Sequence, residues 1–225
     1  MAIIHDTTMN PDKLELLATW LPAQSWYLGG SRAPALAKAG GFRLDDPRGE
    51  VGIEFMIVTD GSGDQVTSYL VPMTYRAEAL AAADRALIGT SEHGVLGHRW
   101  IYDGTRDPVL VAQLVALLQG TAEPQAQNVS NTPDPAVTVG SVRDASLTVT
   151  GPVAAADGPS ATDLRAETAS AGGTGRGQLT VRVNRILRPA GPGGGQPGLA
   201  AAWRLPDGTR ARGILATAEY VPGDR

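Results

Sequence analysis

The sequence predicts an α+β protein built on curved antiparallel sheets. Two runs of alternating apolar residues flank the turn-forming segment 60–63, which is the pattern of a β-hairpin. A strongly apolar helix is predicted at 107–119, and further strand-like runs follow it. The chain has 225 residues, 42% apolar and 19% charged, which suits a globular protein of one large or two small domains.

The first half, residues 1–120, is predicted as a sheet that embraces the 107–119 helix. An initial helix begins at Asn10, with Pro11 in its first turn, and Pro22 ends it. Pro72 places the second strand of the hairpin at an edge or a bulge. The other elements follow in chain order: strands at 50–59 and 65–75, a short helix at 79–87, and a strand at 96–102.

After Gly120 the composition becomes polar and rich in proline, so we place a boundary between domains 1–120 and 121–225. Residues 121–135 are predicted as a linker, and the Ala/Gly/Ser-rich stretch 154–177 as a mobile loop. A second, mostly antiparallel sheet is predicted from the strand-like runs 136–142, 146–153, 178–187, 199–205 and 211–220.

Composition excludes several classes of function. The formal net charge of −4 argues against nonspecific nucleic-acid binding, which needs a concentrated basic surface. The chain has no cysteine, so it has no disulfide and no thiolate metal site. We see neither a signal peptide nor an apolar run long enough to span a membrane, and we expect a cytoplasmic protein without a cofactor. Nearly all its basic residues are arginines, with Lys13 and Lys38 the exceptions.

The aromatic segment 20–30 carries the pattern Trp-Leu-Pro-x-x-x-Trp-aromatic-x-Gly, which resembles the signature that opens the N-terminal cap domain of bacterial maltokinases. The matching residues are Trp20, Leu21, Pro22, Trp26, Tyr27 and Gly29. Two later segments also resemble the cap, Val-Pro-Met-Thr-Tyr-Arg at 71–76 and Tyr-Asp-x-x-x-Asp-Pro at 102–108. The resemblance covers about residues 10–120.

The second half resembles the kinase N-lobe that follows the cap in that family. Ser130, Asn131 and Thr132 resemble its phosphate-cradling loop, and residues 214–221 resemble its hinge strand. Arg182 stands where the family places its ATP-binding lysine. The catalytic Asp and the metal ligands of the C-lobe have no counterpart, so the resemblance implies a truncated N-lobe that is not an enzyme.

Other candidate residues have two interpretations each. Trp20, Trp26 and Tyr27 either form a sugar-stacking or partner-docking surface or, as we favour, pack a helix onto the sheet. Glu92, His93 and His98 either ligate a metal or, as we favour, belong to an ordinary surface turn. The glycine-rich segment 172–177 is predicted as a flexible loop and not a phosphate loop.

Arg182 and Arg185 of the 178–187 run, with Arg188 directly after it, are predicted to lie on a solvated strand. Alternation along that strand puts Arg182 and Arg188 on one face and Arg185 on the other. No basic stripe is therefore expected there.

The leading functional hypothesis is a non-catalytic binding or regulatory protein that contacts another protein. The family resemblance suggests an enzyme of trehalose, maltose or α-glucan metabolism as the partner. One alternative is the N-terminal half of a split phosphotransferase completed by a separate C-lobe, and another is a small carbohydrate-binding module. We expect no nucleic-acid or membrane partner, and a homo-oligomer stays open.

Overall fold

A computed structural model describes residues 8–81, 83–129, 131–140, 147–170, 176–190 and 198–223. The α+β prediction is confirmed, because within these ranges two α-helices accompany one large antiparallel sheet. The helices are α1 (Lys13–Trp20) and α2 (Pro108–Leu118), and short 3-10 turns lie at Leu21–Ala23, Asp84–Ala86 and Gly104–Arg106.

The strands of the first half are β1 (Met9–Asn10), β2 (Leu36–Leu44), β3 (Gly52–Asp60), β4 (Thr67–Arg76), β5 (Leu87–His93) and β6 (Gly97–Asp103). Those of the second half are β7 (Gln125–Ala126), β8 (Thr138–Val139), β9 (Leu147–Val149), β10 (Ala154–Asp157), β11 (Ala161–Ser170), β12 (Arg176–Asn184), β13 (Ile186–Leu187), β14 (Leu199–Arg204) and β15 (Arg210–Pro222).

The sheet runs in the order β1-β5-β6-β4-β3-β2-β14-β15-β12-β11-β10, with β7, β8, β9 and β13 pairing beside this path. The strands of the two halves meet where Trp203 of β14 pairs with Gly40 of β2. They meet again where β13 pairs with β4. One hydrogen-bonded sheet therefore passes through both halves, and the domain division at residue 120 stays a prediction.

The first helix starts two residues later than predicted. Asp12, not Asn10, is its N-cap: the Asp12 carboxylate accepts from the Glu15 amide at 2.9 Å, and Glu15 accepts in return from the Asp12 amide at 2.8 Å. This capping box satisfies two amides that a helix end would leave without partners. Asn10 instead pairs with Glu92 as part of β1.

The predicted hairpin is confirmed as β3 and β4, but β4 does not lie at the edge of the sheet. On its far side it pairs with β13 near Tyr69 and with β6 from Met73 onward. Pro72 falls between these two partners, where neither ladder needs an amide hydrogen.

Three further expectations are wrong. The described residues of 79–87 form no α-helix: Asp84–Ala86 is a 3-10 turn, and Leu87 already starts β5, whose ladder with β6 takes the place of helical bonds. The described residues of the stretch 154–177 do not form a loop, since they hold β10, β11 and the start of β12. Residues 171–175, where most of the predicted glycine-rich loop falls, lie outside the described residues. The supposed linker 121–135 packs on the sheet, because β7 pairs with β2 and Gln125 is buried.

Two apolar cores lie on opposite faces of the sheet. Along β3, Phe55 and its odd-numbered neighbours face the larger core, while Met56 and Val58 face the smaller one. Helix α2 packs into the larger core beside residues of the second half such as Leu164 and Trp203, and α1 packs into the smaller core. Within the described part of the chain, neither helix is long and apolar enough to cross a membrane.

Arg185 corrects the prediction of a solvated arginine strand. It sits between β12 and β13 with 0% of its surface exposed. Its guanidinium forms an ion pair with Asp103 at 2.5 Å and donates to the hydroxyl oxygens of Thr162 at 2.7 Å and Thr105 at 2.8 Å. The break between the two strands turns residue 185 inward, where Asp103 supplies the counter-charge that a buried arginine needs.

Candidate functional site

A cleft of about 710 Å³ opens beside α1 on the face of β2 and β3. Its volume lies in the range of sites that take small molecules. The lining residues are Met9, Asp12, Lys13, Leu14, Lys38, Arg43, Asp46, Gly49, Glu50, Val51, Gly52, Ile53, Glu54, Met56, Tyr75, His93, Leu96, Arg99, Gln127 and Asn128.

Glu54 is the buried centre of this cleft. One carboxylate oxygen accepts from the Lys13 ammonium at 2.6 Å and from the Tyr75 hydroxyl at 2.6 Å. The other accepts from the Gln127 amide at 2.9 Å. The four side chains come from β3, α1, β4 and the segment after β7, so the fold itself assembles the cluster.

The cluster keeps Glu54 ionised. Burial alone would raise its pKa, but the Lys13 ammonium and the hydrogen bonds from Lys13 and Tyr75 bring the pKa below its ordinary value. Burial and the neighbouring Glu54 charge raise the pKa of Tyr75 well above its usual range, so Tyr75 stays a hydrogen-bond donor. With three of its roughly four acceptor positions in use, Glu54 is suited to organising the cleft and poorly suited to acting as a base.

A β-bulge places two more cations in the same cleft. Arg43 lies directly opposite Glu54 in the register of β2 and β3. Lys38 lies opposite Val58, and Ala39 is the extra residue that the bulge inserts before Gly40. Directly paired residues share a face of a sheet, so the extra residue brings Lys38 onto the face of Arg43 and Glu54.

Gly41 makes room for the Gln127 contact. Its φ is +131°, and a Cβ at this position would come within 2.1 Å of the Phe55 carbonyl oxygen and 2.7 Å of the Gln127 amide nitrogen. Only glycine combines that backbone angle with the close approach of a neighbouring strand.

The predicted aromatic residues lie in the smaller core beside the cleft. Trp26 is 1% exposed and Trp20 is also buried, with their rings edge to face at 5.8 Å. Tyr27 is half-buried and donates its hydroxyl to Asp60 at 2.7 Å, and burial together with Asp60 raises the pKa of Tyr27 to about 12. The tryptophan rings thus have the packing role that we favoured.

The comparison with known families bears on this part of the chain. Residues 20–107 match the family model of the maltokinase N-terminal cap domain. We call these residues the cap segment. The resemblance predicted from the aromatic signature is confirmed for residues 20–107, which are similar to this domain. No curated protein matches the chain.

The cap segment supplies Lys38, Arg43, Glu54 and Tyr75 to the cleft. Lys13 precedes this segment and Gln127 follows it. The cleft is therefore built on the cap's sheet and completed by residues on either side of the matched region.

Among the described residues, those that resemble a nucleotide site are not brought together. Ser130 lies outside the described residues, and Asn131 and Thr132 follow β7, which pairs with β2. Arg182 lies on β12 and forms an exposed ion pair with Asp163 at 2.9 Å. In the sheet, β14 and β15 stand between β2 and β12.

The histidine turn has its own partners. His98 contacts Glu92 at 2.5 Å, while the ring of His93 accepts from the amides of Val95 and Leu96. Among the residues that the structure describes, no group of three or more His, Asp or Glu side chains is arranged to hold a metal ion.

Sequence reasoning missed the cleft. The signal available was Glu54, a lone acidic residue inside the apolar run of 53–58, where a charge needs a buried partner. Lys13, Tyr75 and Gln127 are distant in sequence, and no local pattern connects them to Glu54.

Proposed function

We propose that this protein is a non-catalytic binding or regulatory protein of the maltokinase-cap type. It acts in the cytoplasm by contacting another protein, an enzyme of trehalose, maltose or α-glucan metabolism. The observation that carries the proposal is the match of the cap segment to a domain that belongs, by its description, to the N-terminus of maltokinases.

The surface of the cap segment supports a contact role. At the tip of the β5–β6 hairpin, Val95 is 60% exposed and Leu96 is 46% exposed, and Leu96 also lines the cleft. Adjacent exposed apolar side chains beside a concave site are typical of an interaction surface. Glu54, with its acceptors engaged, favours binding over proton transfer in the cleft.

The proposal is tested by interferometry with the immobilised chain and purified enzymes of trehalose, maltose and α-glucan metabolism from the same organism. We expect one enzyme to bind with a Kd of about 10 µM or tighter and to change its kcat/KM in the complex.

A matched pair of variants locates the contact. Leu96→Asp should weaken binding at least about tenfold. Val221→Asp, which changes a residue 54% exposed on β15, should leave it unchanged. Absence of binding to every enzyme of the panel at about 100 µM would contradict the proposal.

The isolated protein should neither hydrolyse ATP nor phosphorylate maltose. In-line phosphoryl transfer needs a base and Mg²⁺ ligands placed opposite the phosphate cradle, and Arg182, at the position of the ATP-binding lysine, is engaged by Asp163. Calorimetry with Mg-ATP and a coupled kinase assay with maltose measure this. Turnover that Arg182→Ala abolishes would favour the split phosphotransferase instead.

A further inference from the structure

We propose that the cleft beside Glu54 binds a small organic anion, a carboxylate or phosphate carried on an apolar body, through Lys38 and Arg43. The proposal goes beyond the partner contact argued above and does not depend on it. It rests on a comparison of the carboxylates that line the cleft, which accept hydrogen bonds from the protein, with Lys38 and Arg43, which form no ion pair among the described residues.

The carboxylates that line the cleft are occupied by donors of the protein. Glu54 is held by Lys13, Tyr75 and Gln127, as described. Asp46 accepts from the amides of Arg48, Glu50 and Val51 at 2.9–3.1 Å. Asp12 caps α1, and Glu50 forms an ion pair with Arg48 at 2.6 Å. The carboxylate oxygens that line the cleft are therefore engaged by donors of the fold, and Glu54 and Glu50 also have a cationic partner.

The carboxylates nearest Lys38 and Arg43 act on them without a close ion pair: Glu54 favours the charged form of both, and Asp45 that of Arg43. Neither cation forms an ion pair with a carboxylate of the described residues. The Lys38 ammonium reaches only the Asn128 side-chain oxygen, at a long 3.4 Å. The Arg43 guanidinium donates from Nε to the Ala126 carbonyl at 3.2 Å, and its Nη2 is buried without an acceptor. A buried donor without an acceptor is unfavourable, and an anion in the cleft would satisfy it.

Both cations lie on the same face because of the bulge at Ala39. Without the extra residue, an ammonium five positions before Arg43 on a regular strand would point to the opposite face. Bulges that re-aim a side chain are frequent next to binding sites.

The lysine content of the chain points to the same place. The sequence has 19 basic residues, of which only Lys13 and Lys38 are lysines, and both line the cleft. One ammonium neutralises Glu54, and the other stands at the rim. Burial lowers the pKa of Lys38, and an anion bound beside it would raise that pKa again.

The rest of the cleft suits an apolar body. Leu14, Met56 and Leu96 contribute apolar wall, and the volume of about 710 Å³ admits a ligand larger than a bare ion. We therefore expect a ligand whose anionic group contacts the two cations and whose apolar part packs against the apolar side chains of the cleft.

The low lysine content allows a direct test in the full chain. Reductive methylation with ¹³C-formaldehyde labels only Lys13, Lys38 and the terminal amine and keeps their charges. Phenyl phosphate carries both an anionic group and an apolar ring. Inorganic phosphate carries the anionic group alone, and benzyl alcohol carries the apolar ring without a charge. We expect phenyl phosphate to shift the Lys38 resonance saturably, with a Kd of about 1 mM or tighter, and to raise the pKa of Lys38.

The control probes and variants distinguish a loss of binding caused by removing a charge from one caused by a change in the fold. Inorganic phosphate should bind more weakly than phenyl phosphate, and benzyl alcohol should not shift Lys38. Arg43→Gln should weaken phenyl phosphate at least about tenfold, Arg43→Lys should retain most of the binding, and the exposed Arg204→Gln on β14 should have no effect.

Three results would overturn the proposal: no shift of the Lys38 resonance at about 10 mM phenyl phosphate, equal shifts with benzyl alcohol, or equal weakening by Arg204→Gln. No partner protein is present in this test, so a negative result here would not contradict the proposed protein contact. A negative interferometry result would likewise not contradict anion binding in the cleft.

Discussion

Asp107 links a strand to a helix through one buried carboxylate. Its side chain is fully buried and forms a bidentate ion pair with Arg76 at 2.7 Å for both bonds. The same carboxylate accepts from the Val109 amide at 2.9 Å and so caps α2. Burial would raise the pKa of Asp107, but Arg76 and the capping amide lower it below its ordinary value. The ionised form therefore stabilises both elements at neutral pH.

Asp107→Asn should lower the free energy of unfolding by about 3 kcal/mol at neutral pH, because it leaves Arg76 without its counter-charge. The folded pKa of Asp107 is lowered, so its contribution is present above the unfolded pKa and is lost as pH falls through the folded pKa. The difference between the wild type and the variant should shrink from about pH 5 to about pH 2. Urea unfolding at a series of pH values measures it, and a difference independent of pH would contradict the assignment.

Gly41→Ala should destabilise the fold by about 1–3 kcal/mol, because a Cβ there meets the Phe55 carbonyl oxygen at an unfavourable backbone angle. It should also break the Gln127–Glu54 hydrogen bond. Gly61→Ala is the matched control, since no atom lies within 4 Å of the added methyl. Denaturant unfolding compares the two, and equal stabilities would show that Gly41 is not constrained.

At the scale of elements, α2 has the clearest sequence signal. Asp107 and Pro108 start it and Gly120, with a φ of +75°, follows its end, as predicted. Its buried residues, Leu110 and Leu114 among them, pack into the larger core. Strong periodicity and end signals of this kind do not depend on residues distant in sequence.

Leu114→Ala should reduce stability by about 2–4 kcal/mol, because it removes methyl groups from a side chain that is 0% exposed and leaves a cavity. Gln113→Ala on the same helix, at a partly exposed position, should cost less than about 0.5 kcal/mol. Thermal or urea unfolding distinguishes them, and similar losses at both positions would mean that the helix face is misassigned.

The sequence analysis missed strands such as β11 for a physical reason. In β11, Leu164, Ala166 and Thr168 are buried while Arg165 and Glu167 are exposed, so the alternation is present. Small side chains such as Ala and Thr differ little in hydrophobicity, so the alternation between buried and exposed positions is weak in the sequence. The neighbouring glycines indicated a loop. The strand forms because β12 and β10 pair with it along both edges, which is information that a local pattern does not contain.

At the scale of the whole molecule, the two halves share a sheet, a core and a buried ion pair. Trp203 of the second half donates to Ser68 of the first at 3.0 Å, and Arg185 pairs with Asp103 across the same junction. The cleft likewise joins Lys13, Glu54 and Gln127 from distant parts of the chain. Sequence reasoning found the resemblance to the cap domain from short contiguous segments, but contacts of such long range follow only from the assembled sheet.

A fragment of residues 1–120 should fail to melt cooperatively, because residues such as Leu164 and Trp203 of the second half complete its larger core. Circular dichroism and the dispersion of amide resonances measure this, with the full chain as reference. Adding the 121–225 fragment should restore the dispersion. A cooperative transition of the first fragment alone, at the melting temperature of the full chain, would instead establish an independent domain ending at residue 120.

The bulge at Ala39 also has a consequence for comparing related chains. The bulge is a single extra residue in β2. If it were deleted, every residue before it in β2 would move to the other face of the sheet, and Lys38 would point away from the cleft. A one-residue gap at this place in an alignment would therefore separate chains that keep a paired positive charge in the cleft from chains that do not. An insertion or deletion here would therefore change the charges that face the cleft even where Lys38 and Arg43 are themselves retained.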